Sequence, residues 1–159
     1  MTVVTLLGVD PEIHGGLAIV AMEDGAAPCL IAAIDVPVTG TNSKERVDVG
    51  AIRNFIEEHR PIRALIERAQ AMPKQGSSSG FKYGRSVGAI EAAIVLSTVP
   101  VEFVEPSVWK KHWRLPGKDK ESARQLALQL FPNAHAMLAR KKDHGRGEAA
   151  LIALYGARA

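Results

Sequence analysis

The chain of 159 residues is 47% hydrophobic with a formal net charge of +3 at pH 7, which suits one well-buried domain and leaves too little length for two. Its one cysteine excludes an internal disulfide framework and fits a reducing cytosol. No apolar run approaches the roughly 20 residues that a membrane span needs. We therefore expect a cytoplasmic protein, folded as a single domain over residues 1–159, with no membrane partner.

Charge is distributed unevenly along the chain. Residues 1–108 hold nine Lys or Arg and thirteen Asp or Glu, whereas residues 109–146 hold ten Lys or Arg and three acids. Such an asymmetry is typical of a protein whose basic part meets a polyanion, although a solvated helical face would give the same composition. Composition alone leaves these two interpretations open.

The first third of the chain predicts three strands, at 3–9, 16–22 and 29–36. Val, Ile, Leu and Ala dominate these runs, and Gly, Asp or Pro separate them. The segment 39–44 (TGTNSK) is predicted to be a loop. Apolar residues at helical spacing then predict an amphipathic helix over 46–59.

The rest of the chain alternates strands with helices. A strand is predicted at 62–68, a long helix at 79–98 and a strand at 101–106. The order β-β-β-α-β-α-β-α predicts an α/β fold with a five-stranded mixed sheet and helices on both faces, because helical crossovers add parallel strands. The last helical segments are predicted around 107–113, 119–131 and 147–156.

Two predicted strands end in an acid, Asp10 and Glu67. If these strands are parallel neighbours, both carboxylates emerge at one end of the sheet, where the ligand sites of such sheets lie. Asp143 and Glu148 lie at the start of the last helix. Converging carboxylates repel each other unless a cation lies among them, and hard oxygen ligands select Mg²⁺ or Mn²⁺. Taken singly, such an acid is more often a solvated charge or a helix cap.

Asp143 and Glu148 cannot both face one site from a regular helix, because five residues place them about 140° apart. Gly145 and Gly147 predict that the helix begins late and leaves Asp143 on an irregular segment that can turn inward. His144 is four residues from Glu148 and would share its face of the helix.

Six motifs follow one another almost end to end through the chain. They are G-V-D-P-E…G-G at 8–16, L-I-E-R-A at 65–69, K-Q-G-x(3)-G-F-x-Y-G at 74–84, E-P-S-x-W-K-K at 105–111, G-K-D-K-x(2)-A-R-x-L-A at 117–127 followed by L-F-P, and D-H-G-R-x-E-A at 143–149. In this order they resemble the RuvC-type Holliday-junction resolvases of the ribonuclease H-like superfamily, and particularly the plastid-type branch.

The resemblance implies a ribonuclease H-like fold and a structure-selective DNA endonuclease. Such an enzyme would resolve four-way (Holliday) junctions as a homodimer, by paired nicks that leave 5′-phosphate and 3′-hydroxyl ends. It would act in the cytoplasm at the nucleoid, with bacterial, phage and organelle sources all open. Two Mg²⁺ ions per active site, replaceable by Mn²⁺, would activate water and stabilise the leaving oxygen. No nucleotide cofactor is implied.

Carried over to this chain, the family's acidic tetrad corresponds to Asp10, Glu67, Asp143 and Glu148, as catalytic and metal-binding residues. The chain departs from the classical bacterial pattern, which often has two aspartates three residues apart near the C-terminus. Gly145 occupies the third-acid position here, so Asp143 and His144 are both candidates to complete the site.

The resemblance also implies a DNA-binding surface. Segment 74–84 matches a base-reading insertion, in which Gln75 would bond to a base edge and Phe81 would wedge between unstacked bases. Core packing is the alternative for Phe81 and Tyr83, and Trp109 is predicted to be a core anchor. Phosphate contacts, including those to a duplex arm, are assigned to Lys74, Lys82, Lys110, Lys111, Lys118, Lys120, Lys141, Lys142 and Arg146.

A four-way junction has two-fold symmetry, so two opposed nicks need two active sites. By resemblance, the helix over 79–98 is the expected homodimer interface, because it carries small side chains that allow close approach. Burial inside the monomer explains the same residues almost as well. They are Gly84, Gly88, Ala89, Ala92 and Ala93.

Three other functions are compatible with parts of the sequence. Actin-like phosphotransferases share the sheet order but need a second domain and a further phosphate loop, for which this chain has no room. A non-catalytic nucleic-acid-binding module would have no use for carboxylates that repel DNA. A ribonuclease that trims precursor RNA is the nearest alternative, and it should lack the 74–84 insertion.

Overall fold

The computed structural model describes residues 2–158, which are built around a five-stranded sheet with a separate two-stranded ribbon. The strands are β1 (Val3–Asp10), β2 (Gly16–Glu23), β3 (Cys29–Asp35), β4 (Val38–Thr39), β5 (Arg46–Val47), β6 (Arg63–Glu67) and β7 (Val101–Val104). The helices are α1 (Val49–His59), α2 (Ser77–Leu96), α3 (Pro106–His112), α4 (Lys120–Leu130), α5 (His135–Leu138) and α6 (His144–Arg158). Short 3-10 turns lie at Asn42–Lys44, Pro132–Ala134 and Lys141–Asp143.

The five strands of the sheet lie in the order β3-β2-β1-β6-β7. β1 pairs antiparallel with β2 and parallel with β6, and β7 continues the parallel half. α1 and α2 are the crossovers that these parallel strands require. The five-stranded mixed sheet predicted from the sequence is therefore confirmed.

Alternate residues of the strands supply two separate cores, because successive side chains of a strand point to opposite faces. In β1, Leu6 packs into a core with α3, α4 and α6, whereas Leu7 and Val9 pack into a core with α1 and α2. The sheet thus has helices on both faces, as predicted.

Helix α6 lies against the centre of the sheet at unusually short range. A side chain at Gly8 would overlap the Ala149 carbonyl, and a Cβ on Gly145 would lie 2.7 Å from the carbonyl carbon of Gly15. Glycine at these positions lets the backbone of α6 touch the backbones of β1 and the β1–β2 turn. This contact fixes where the first turn of α6 meets the end of β1.

The late start predicted for the last helix is wrong, because α6 begins at His144 and includes both Gly145 and Gly147. These glycines are inside the helix because neighbouring backbone leaves no room for side chains. A Cβ on Gly147 would lie 3.1 Å from the Cα of Arg124. Asp143 precedes α6, in a 3-10 turn, so it does lie outside the regular helix.

The prediction of a loop at 39–44 is also wrong in part. β4 and β5 pair as a short antiparallel ribbon, with the 3-10 turn between them. α1 consequently begins at Val49 instead of residue 46, after Asp48, whose Oδ1 accepts a hydrogen bond of 3.0 Å from the Ala51 amide. Within residues 2–158, no helix has the length and apolar character that crossing a membrane requires.

Candidate active site

Asp10 and Glu67 emerge side by side at one end of the sheet. Each is the last residue of its strand, and the parallel pairing of Val9 with Ile66 sets them next to each other in register. The sequence prediction that these two strands are parallel neighbours is confirmed. The carboxyl of Asp10 is almost fully buried, at 2% exposure, and that of Glu67 is half-buried.

Glu148 reaches Asp10 from the second turn of α6. The two carboxyl groups are close neighbours in the site. Burial is the largest cause that raises the pKa of Asp10 well above its ordinary value, followed by the charge of Glu148. We call Asp10, Glu67 and Glu148 the carboxyl cluster.

Trp109 orients the third member of the cluster. Its indole N–H donates a hydrogen bond of 2.7 Å to Glu67 Oε2. Burial raises the pKa of Glu67, and this bond together with the charge of Lys110 opposes the rise without cancelling it. Trp109 is fully buried, so its prediction as a core anchor is confirmed. Its bond to Glu67 is a contact that the sequence reading missed, although a buried indole N–H usually needs an acceptor.

Asp143 is not brought to the carboxyl cluster. Its buried carboxylate accepts hydrogen bonds from the Arg140 backbone N–H at 2.9 Å and from the Arg140 guanidinium at 2.8 Å. Arg146 Nη1 lies 3.7 Å away. Burial raises the pKa of Asp143, but the bonds from Arg140 outweigh it and the pKa lies below its ordinary value. Asp143 is therefore a charged group neutralised by arginine.

His144, the other candidate for completing the site, presents an unpaired atom. Among the residues that the structure describes, His144 Nδ1 is buried without a hydrogen-bond partner, and Asp10 Oδ2 is buried without a donor. Buried polar atoms are nearly always paired in native proteins, so the two orphans need an explanation. Both belong to residues that the sequence reading proposed for one site.

Three further side chains near the cluster were not assigned to it from the sequence. The charge of Glu12 acts on both Asp10 and Glu67, and Lys120 Nζ lies 3.5 Å from Glu12 Oε2. Burial raises the pKa of the Tyr83 phenol, and the acids of the site raise it further. Glu12 lies two residues after Asp10 in the G-V-D-P-E motif, and this position is the sequence signal that could have assigned it to the site.

The donor set of the carboxyl cluster fits a hard divalent cation. Asp10 holds a buried oxygen that no donor among residues 2–158 satisfies, and its neighbours are carboxyls, the ligand type that Mg²⁺ and Mn²⁺ prefer. Over residues 2–158, however, no three His, Cys, Asp or Glu side chains are spaced as a complete metal centre. Cation binding therefore needs side-chain adjustment, and the metal role of the tetrad stays a prediction.

The predicted DNA-binding residues differ in solvent exposure and in their bonds to other residues of the chain. Phe81 is 70% exposed, so core packing is the wrong interpretation for this side chain. Gln75 is half-buried, and its Oε1 accepts a hydrogen bond of 3.3 Å from the Met72 amide. Arg146 is engaged internally, with Nε 2.8 Å from Asp35 Oδ1. Lys110 is half-buried, and the others are exposed: Lys74, Lys82, Lys111, Lys118, Lys120, Lys141 and Lys142.

No protein-family model and no curated protein matches this chain. Among solved structures, T. thermophilus RuvC in complex with a Holliday junction substrate is similar with a TM-score of 0.70 and 24% identity, covering 98% of this chain and 95% of that chain. A second Thermus thermophilus RuvC structure has a TM-score of 0.61 and 21% identity, with coverages of 97% and 95%.

The yeast mitochondrial Holliday junction resolvase Ydc2 is similar over 94% of this chain and 77% of that chain. Its TM-score is 0.62 at 14% identity. These similarities show that the chain has the RuvC-like, ribonuclease H-like fold expected from the motifs. The nearer relation to the plastid-type branch stays a prediction.

Removing the charge of Asp10 is expected to stabilise the fold. The pKa of Asp10 in the folded protein is raised above the ordinary 3.8. Its contribution to the free energy of unfolding is therefore fully present at low pH and is lost as pH rises through the folded pKa. Asp10→Asn should therefore melt higher than the parent in chelator at pH 7, by about 2–4 °C for each 1 kcal/mol gained. Thermal melts between pH 4 and pH 8 measure the difference.

The matched control is Asp24→Asn, which removes an exposed carboxylate in the β2–β3 turn and should melt like the parent. Equal melting temperatures of Asp10→Asn and the parent at pH 7 would contradict this account of the cluster. A difference in melting temperature that does not grow with pH would also contradict it.

Trp109→Phe keeps an aromatic ring in the core and removes the donor to Glu67. The pKa of Glu67 should rise, because hydrogen bonds to a charged group stabilise it by about 1.5–3 kcal/mol. Carboxyl NMR titration measures this pKa directly. Trp113→Phe is the control, since that indole donates to the Leu151 carbonyl at 3.1 Å. An unmoved Glu67 pKa in Trp109→Phe would contradict the role of Trp109.

Proposed function

We propose that this protein is a metal-dependent DNA endonuclease that resolves four-way junctions by paired nicks. The observation that carries the proposal is Asp10, a buried carboxyl with an unsatisfied oxygen, set between Glu67 and Glu148 at a strand end. Such a cluster is unfavourable without a cation, and a divalent cation would satisfy it. The RuvC-like fold and the six sequence motifs support the choice of DNA junctions as substrate.

Asp10, Glu67 and Glu148 are the residues that would hold Mg²⁺, with Mn²⁺ as a substitute. When bound, a pair of such ions supplies Lewis acidity for the attacking water and the leaving 3′ oxygen of the phosphodiester. The chain itself orients Glu67 through the Trp109 indole, and Asp10 acts as a ligand in its ionised form. The products would carry 5′-phosphate and 3′-hydroxyl ends.

Asp143 and His144 are the two candidates proposed for the fourth position of the site. Asp143 could join only if its carboxylate exchanged Arg140 for the cation, because Arg140 holds both oxygens. His144 needs no such exchange, since its buried Nδ1 has no partner among the described residues. His144 is the first residue of α6 and Asp143 directly precedes it, so both are close to Glu148 in the chain.

Lysines of α3 and α4 are proposed to bind the duplex arms. Lys110 and Lys111 lie in the last turn of α3, directly after Trp109, and Lys120 begins α4. The charge of Lys110 opposes the rise in the pKa of Glu67. Burial lowers the pKa of Lys120, but the charges of Glu12, Glu148 and Asp10 outweigh it and raise that pKa. Phosphate contacts of this kind make affinity fall steeply with salt. Phe81, exposed at the start of α2, is available to wedge between unstacked bases.

A homodimer through α2 is proposed because one face of that helix is small, open and partly apolar. Added Cβ atoms at Gly84 and Gly88 would meet no atom of the described residues within 4 Å, and Ala92 and Leu96 lie exposed on the same face. Burial inside the monomer therefore does not explain these positions. It does explain Ala93, which packs into the core with α1.

Junction cleavage is the experiment that tests the function. A labelled four-way junction should receive paired, religatable nicks in Mg²⁺ and none in EDTA, while matched linear duplex and an RNA–DNA hybrid stay intact. Asp10→Asn should lose more than about 100-fold of the rate, since even residues that only support metal ligands cost about 10–100-fold. It should still bind the junction. Asp24→Asn is the charge-matched control and should cut normally.

The other outcomes identify the alternatives. Cutting of RNA with an intact junction would indicate an RNA-processing nuclease. Junction binding without cutting, in either metal, would indicate a non-catalytic binding module. Full cutting by Asp10→Asn would contradict the metal site.

Gly88→Lys should convert the proposed dimer to monomer, because it places a long charged side chain on the open face of α2. The substitution replaces glycine inside a helix, so the monomer itself should gain up to about 1 kcal/mol of helix propensity. Sedimentation velocity over a concentration series measures the change. Gly50→Lys adds the same charge to an exposed position of α1 and should leave the parental state. A parent that sediments as a monomer would contradict the interface.

A further inference from the structure

A cavity of ≈ 410 Å³ lies between the β4–β5 ribbon and α2. The ribbon contributes Arg46 and Val47, and α2 contributes Lys82, Tyr83 and Arg85. Its volume lies within the range of about 300–1,000 Å³ that is typical of small-molecule sites. A single nucleotide fits such a volume, whereas a base-paired duplex does not.

The lining of this cavity, which we call the ribbon cavity, is positively charged. Arg46, Lys82 and Arg85 bring three cations to its walls, and Glu45 brings one acid. Within residues 2–158, none of these three cations takes part in an ion pair. Their charge is therefore available to an anion, and arginine suits the oxygens of a phosphate.

Tyr83 connects the ribbon cavity to the carboxyl cluster. It lines the cavity, and the charges of Glu12, Glu67 and Asp10 act on its phenol. Ile13, the residue after Glu12, also lines this cavity. A strand of DNA whose phosphodiester lies at the cluster would therefore place a neighbouring nucleotide at this opening.

The walls also match the other parts of a nucleotide. Tyr83 offers an aromatic ring on which a base can stack, an interaction that accepts every base because each has a π-face. Ile13 and Val47 offer apolar surface, and Asn42, Ser43 and Ser86 offer neutral hydrogen-bonding groups. Cations for the phosphate and an aromatic ring for the base are the two features that single-strand binding sites combine.

We propose that the ribbon cavity binds one unpaired nucleotide of a DNA strand, with its phosphate on Arg46, Lys82 and Arg85 and its base beside Tyr83. This inference rests on the proposed nuclease function, because that function supplies the strand. It adds a subsite that holds the strand next to the position of cleavage. The ribbon, which has no part in the central sheet, gains a role in placing the substrate.

Binding of a fluorescein-labelled oligo-dT and of a labelled four-way junction, measured by anisotropy in the Asp10→Asn background, tests the proposal. Arg85→Gln should weaken oligo-dT binding about 3–10-fold at 0.1 M salt, and should reduce the slope of log K against log salt by about 0.7 for one lost phosphate contact on a single strand. Arg53→Gln is the control, because it removes the same charge from an exposed position of α1 outside the cavity.

Ser43→Leu is the second variant, which takes up space in the cavity from an exposed position of the 3-10 turn between β4 and β5, without changing charge or adding an aromatic ring. It should weaken oligo-dT binding and leave the salt slope unchanged. Thermal melts confirm that each variant is folded. Parental binding by Arg85→Gln, or by a folded Ser43→Leu, would overturn the proposal.

The two hypotheses fail in different ways. If the parent cuts junctions but both cavity variants bind oligo-dT as the parent does, the cavity proposal is wrong and the nuclease stands. If both cavity variants lose binding while the parent never cuts a junction, the cavity stands as a single-strand site and the junction nuclease is wrong.

Discussion

The arrangement of the whole site depends on the backbone contact between α6 and the sheet. Gly8, Gly16 and Gly145 lack the Cβ atoms that would collide with backbone across this contact. Side chains at these positions would force α6 away from the sheet and carry Glu148 away from Asp10. The same contact buries most of α6 and makes it the centre of one of the two cores. Packing and chemistry thus share one constraint, which lies in residues that bear no functional group.

That contact brings together groups that oppose folding. Burying carboxyls side by side costs free energy, as the raised pKa values of Asp10 and Glu67 show. The two apolar cores offset this cost, and the surrounding positive groups reduce it, with Lys120 at Glu12 and Arg140 at Asp143. Functional sites commonly contain charged groups that destabilise the fold locally, and the well-packed remainder of the protein holds them in place.

The local sequence pattern was enough to predict the sheet and the adjacent positions of Asp10 and Glu67. Apolar runs mark the strands, and the order of strands and helices makes β1 and β6 parallel neighbours. It was not enough where a partner distant in space decides the outcome. The paired strands β4 and β5 are two residues each and have no periodicity to read. Gly145 and Gly147 looked like helix breakers, yet they are helical because the packing needs them small. The partners of Asp143 and Glu67 are side chains whose directions no spacing rule predicts.

Trp109 gives the molecule an optical property as well as a structural one. The chain has two tryptophans, and one of them donates directly to a carboxyl of the cluster, with the Lys110 ammonium 5.5 Å from the centre of its ring. Indole emission responds to charges in its immediate surroundings. The intrinsic fluorescence of the protein should therefore report the charge state of Glu67, so that events at the site become visible without any label, dye or substrate.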